Sequence, residues 1–76
     1  MKEYTVAYIK NGEEYAYDNY ISGTTIPEIV KVLTYEMNCY GVNYDEIAIF
    51  DVHDDDPAVY FVAVKNYGVY ELVEMR

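Results

Sequence analysis

The residues best suited to hold a metal or move a proton lie together in one short stretch: Asp51, His53, Asp54, Asp55 and Asp56. A calcium loop of the EF-hand kind needs alternating acidic or amide ligands, a central glycine and a closing glutamate. Here Pro57 and an alternating apolar run follow instead. Consecutive aspartates before a proline are ordinary turn chemistry, so neither a specific metal site nor a cofactor is expected. Catalysis is not expected either. His53 is the one histidine and Cys39 the one cysteine, they stand far apart in the sequence, and there is no glycine-rich phosphate loop or nucleophile elbow. Cys39 falls at the end of a predicted helix, where the helix dipole disfavours a thiolate, and reads as a small packing residue.

Charge and aromatic surface remain. Fourteen acidic residues against five basic ones give a net charge of −9, which repels nucleic acid and anionic membranes. Partners are therefore expected to be basic proteins rather than nucleic acid or lipid. The acidic groups fall at Glu13-Glu14, Asp18, Asp45-Glu46 and Asp54-Asp55-Asp56. Eleven tyrosines are the other departure from average composition. Tyrosine brings apolar area, a polar tip and few rotamers to a binding surface, and beside carboxylates it suits a partner rich in arginine. Tyr20 and Tyr67 are the expected aromatic contacts. The plain alternative is that acidity only keeps a tyrosine-rich chain in solution.

These groups must be carried by one domain, residues 1–76, whose 53% hydrophobic content suffices for a core without disulfides. A lone cysteine suits a reducing cytosol. The start, MKEYTVAYIK, lacks the apolar centre of a signal peptide, and no run approaches the ~20 apolar residues of a membrane span. A cytoplasmic protein is expected.

Two alternating runs flank Asn11-Gly12, the strongest short hairpin signal. An unbroken ladder from that turn pairs Lys10 with Glu13, Tyr8 with Tyr15 and Val6 with Tyr17. Tyr15 and Tyr17 then join Tyr4, Val6, Tyr8 and Ile21 on one face, with Glu14, Asp18 and Tyr20 on the other. Thr25 and Glu28 make a capping box with Pro27 in the first turn, opening a helix whose stripe is Ile26, Ile29, Val30, Leu33, Met37 and Tyr40, and Gly41 stops it. A three-stranded meander follows. Pairing His53 with Ala58 sets Phe50 against Phe61, Ile49 against Val62 and Glu46 against Lys65. The chain is thus an α+β domain of ββαβββ order, one helix packed on a mainly antiparallel sheet. In length and element order it is also similar to β-grasp proteins, though it ends Glu74-Met75-Arg76 without the Gly-Gly tail of conjugated ubiquitin-like members.

In that register the meander is apolar on both faces, and one helix covers only one of them. The second face would carry Phe50, Val52, Val59, Phe61, Val73 and Met75, and a homodimer packed through these residues is the expected resolution.

As a class, the chain resembles the small acidic phage proteins that disarm bacterial defence, among them anti-CRISPR proteins and restriction-enzyme DNA mimics. The resemblance covers the whole chain and lies in size, charge, lone cysteine, α+β order and the acidic groups named above, rather than in a motif. It implies an inhibitor acting in the host cytoplasm, whose carboxylates sit where phosphates otherwise go. The alternative is a dimeric structural or adaptor module.

Overall fold

A computed structural model describes residues 2–53 and 57–75. Its elements are β1 (Tyr4–Lys10), β2 (Glu13–Asn19), α1 (Ile26–Tyr40), β3 (Glu46–Asp51), β4 (Val59–Asn66) and β5 (Val69–Glu74). The strands form one sheet in the order β2-β1-β3-β4-β5, and every neighbouring pair is antiparallel. The fold is α+β. Because β1 lies between β2 and β3, those two strands run the same way. The connection between them must cross a face of the sheet, and α1 makes that crossing.

The helix starts where its caps require. Thr25 Oγ1 accepts from the Glu28 N–H at 3.3 Å, the Glu28 carboxylate accepts from the Thr25 N–H at 3.3 Å, and Pro27 occupies the first turn. At the other end Gly41 takes φ +84°, and its N–H donates to the Met37 carbonyl. Ile29, Leu33 and Met37, one turn apart, are buried, and with Ile29 and Leu33 the core gathers Val6, Ile47, Ile49 and Phe61. Tyr40, expected to continue that stripe, is exposed. Cys39 is also exposed, so the packing role expected for it is corrected.

The hairpins depart from the expected registers in instructive ways. Lys10 and Ile9 pair with Glu13 and Glu14, but Tyr8 then pairs with Ala16 and Ala7 with Tyr17. Tyr15 is the extra residue of a β-bulge, which reverses the faces of everything after it. Tyr17 therefore lies on the side away from the helix. Asp18 and Tyr20 come to the helix side, where Tyr20 packs against the core.

In the meander, Ile47 pairs with Phe61 and Ile49 with Val59. The ladder is three residues from the expected one, an odd slip that turns β4 over. Phe61 is only 7% exposed and Val59 packs against the core, so neither belongs to an outer face. The cause lies at the end of β3, which is held by β1 rather than by β4. The Val52 N–H donates to the Glu3 carbonyl, and His53 Nε2 meets Glu3 Oε1 at 2.8 Å. Glu46 faces Val62, not Lys65, and the Lys65 ammonium lies 5.2 Å from the centroid of the Tyr70 ring.

The β4–β5 turn has two residues, Tyr67 (φ +51°) and Gly68 (φ +80°), nearly matching Asn11 (φ +52°) and Gly12 (φ +81°). Both are I′-type turns, which suit the twist of a hairpin. Tyr67 replaces the usual asparagine. The resulting one-residue slip of β5 on β4 restores β5 to its expected face, with Leu72 beneath the helix and Val73 opposite.

Candidate functional site

The pairing Ile9–Glu46 places the start of β3 beside the end of β1, so the Asn11-Gly12 tip and the Asp45-Glu46 step meet at one end of the sheet. Asp45 ties them together: its Oδ2 accepts from the Asn11 N–H at 2.9 Å, and its own N–H donates to the Ile9 carbonyl. On the side away from the helix, Glu13, Glu14 and Glu46 border a shallow concavity with Tyr17 and Tyr60, floored by Ile9. The β2 bulge brings Tyr17 there. Tyr17 donates its hydroxyl to Glu14 Oε1 at 2.6 Å, and that hydrogen bond is the main reason its phenol is pushed up. The ring holds a carboxylate at its tip and is otherwise largely exposed.

The helix ends at the same end of the sheet with no basic residue in its last turn. Tyr60 and Tyr17 are 44% and 56% exposed. Two exposed aromatic rings among three carboxylates are groups that can meet a guanidinium by π contact and by charge-assisted hydrogen bonds.

The other expected contacts are dispersed. Asp18 lies on the helix side, accepting from the Tyr8 hydroxyl at 2.7 Å, so it does not share a face with Glu14, contrary to expectation. Tyr20 is half-buried, and burial is the first cause raising its phenol. Tyr67 stands fully exposed on the tip of the β4–β5 hairpin, at the same end as the concavity. Asp54, Asp55 and Asp56 lie outside the described residues. Asp51, where their connection begins, is at the opposite end of the sheet; its carboxyl is lowered chiefly by the His53 N–H donating at 3.0 Å. Among the described residues no three of His, Cys, Asp and Glu are gathered to hold a metal.

Of the residues expected at a dimer interface, Phe50 and Val73 do lie away from the helix, with Val52 exposed after β3 and Met75 exposed after β5. Tyr60, Val62 and Val64 take the positions expected for Val59 and Phe61. Tyr17, expected on the face with Val6 and Tyr8, and Tyr60, expected on no contact surface, reach these positions through a bulge and a slip that have no local sequence signal.

No protein-family model, curated protein or solved structure matches the chain. Among the described residues no helix is long and apolar enough to cross a membrane.

Proposed function

We propose that the chain is a non-catalytic binding protein that blocks a basic, nucleic-acid-binding surface of a larger protein, as anti-defence inhibitors such as anti-CRISPR proteins do, in the cytoplasm. The observation that carries this reading is the convergence of Glu13, Glu14 and Glu46 from two elements on one concavity beside Tyr17 and Tyr60. Mimicry of a duplex by a regular row of charges is not required, and the separation of Glu14 from Asp18 argues against it. Charge blocking with aromatic anchoring suffices.

The test is capture of partners from a bacterial lysate on immobilised chain, compared with the Glu13→Gln/Glu14→Gln/Glu46→Gln variant. All three carboxylates are at least partly exposed, so the variant is expected to fold. A basic partner held by the wild type and released between low and physiological salt, but not held by the variant, is the expected outcome. Equal retention by both would remove the concavity from the function.

A second reading is a homodimeric structural or adaptor module, favoured by the uncovered apolar positions Phe50, Tyr60, Val62, Val64 and Val73. Dimerisation through that face is apolar and responds little to salt. A single-chain mass by light scattering at tens of micromolar would exclude it.

A further inference from the structure

The β2 bulge and the C-terminal turn of α1 border a second, open cavity, of ≈ 300 Å³, on the helix side of the sheet. An unbroken hairpin would set Tyr15 against Tyr8. The bulge sets Ala16 against Tyr8 instead and leaves Tyr15, 52% exposed, at the cavity mouth. Bulges next to a site commonly re-aim a side chain in this way. Tyr8 and Tyr44 line it as a contacting pair, their ring centroids 5.1 Å apart and their planes inclined at 49°. The floor is Leu33 and Met37, both buried. Glu36 is the one charged side chain among the lining residues.

Burial pushes the Tyr44 phenol up to about 12, with the Glu36 charge adding to it. Tyr8 is raised in the same direction, by burial first and then by its hydrogen bond to Asp18. Both rings therefore stay neutral at physiological pH. A lining of several tyrosine rings, buried apolar side chains and one carboxylate suits a cation that carries methyl groups better than a bare ammonium, whose hydration is costly to strip.

We propose that this cavity is an aromatic cage for an alkylated ammonium group. It lies on the opposite side of the sheet from the acidic concavity and does not depend on that reading.

The test is titration of the full chain, followed by NMR of the tyrosine rings, with choline, with its uncharged isostere 3,3-dimethylbutan-1-ol, and with a short peptide bearing trimethyllysine. Saturable shifts of Tyr8, Tyr15 and Tyr44 with choline, at least about tenfold weaker with the isostere, are expected. The peptide should behave like choline. If it binds more tightly, the natural source is a modified protein; if less, a free small molecule. Tyr15→Ala and Glu36→Gln, both at exposed positions, should each weaken choline several-fold without altering the spectrum of the free protein elsewhere. Equal binding of the isostere, or no saturable shift with either cation, would overturn the proposal.

Discussion

Single side chains in this molecule bear constraints that their neighbours in sequence do not announce. Tyr67 holds φ +51°, a region costly for a bulky residue, and its ring is fully exposed and therefore gains nothing from packing. Tyr67→Asn should raise stability by about 0.5–1 kcal/mol in urea unfolding, because asparagine tolerates that conformation. Gly68 has φ +80° and no atom within 4 Å of where a Cβ would stand, so its glycine serves conformation, not space. The phenols of Tyr8 and Tyr44 make a second residue-scale prediction. Their folded-state values lie above the ordinary value of 10, so the folded protein binds these protons more tightly than the unfolded chain. The associated stability is fully present below about pH 10 and is lost as pH rises beyond it. Thermal unfolding followed from pH 9 to 12 should show Tm falling above about pH 10, and Tyr44→Phe should flatten that fall. An unchanged slope in the variant would mean that another group carries it.

At the scale of elements, what was legible in the sequence and what was not separate along a physical line. The helix and the first hairpin turn were readable because their signals are local: Thr25, Pro27 and Glu28 satisfy the first turn of α1 themselves, and Asn11-Gly12 supplies its own dihedrals. The register of the strands was not, because it is decided by partners distant in the chain. The bulge at Tyr15 and the grip of Glu3 on Val52 and His53 are long-range facts, and each turns a strand over. The observed register makes a sharp prediction. Phe61→Ala should cost about 3–5 kcal/mol, as expected for an aromatic removed from a core, whereas Val73→Ala on the uncovered face of a monomer should cost less than about 1 kcal/mol. Comparable losses at the two positions would contradict it. Asn38 adds a device at the edge of the sheet. Its side chain accepts from the Tyr70 N–H at 2.9 Å and donates to the Tyr70 carbonyl at 3.1 Å, engaging both backbone groups of an edge-strand residue. Asn38→Ala should cost about 1 kcal/mol and speed hydrogen exchange at the Tyr70 amide.

The whole molecule is divided by its sheet. One side is closed by α1, with a tyrosine-lined cavity at the C-terminal end of the helix; among the described residues the other carries no helix, has a small buried cluster of Ala7, Ile9 and Ala48 with Phe50 packed on it, is apolar toward β4–β5, and holds three glutamates at the end where β1, β2 and β3 meet. The acidity of the chain was evident from composition, but the meeting of Glu13, Glu14 and Glu46 at that end was not, since it depends on the Ile9–Glu46 pairing. On the proposed reading, the charge of −9 would draw the chain to cationic surfaces at long range, and Tyr17 and Tyr60 would supply the short-range contact. The most direct test is competition. A basic partner captured on the immobilised chain at low salt is challenged with duplex DNA at constant ionic strength. Release of the partner in proportion to added DNA is the predicted result, because both would occupy the same basic surface; a ternary complex of chain, partner and DNA would contradict it.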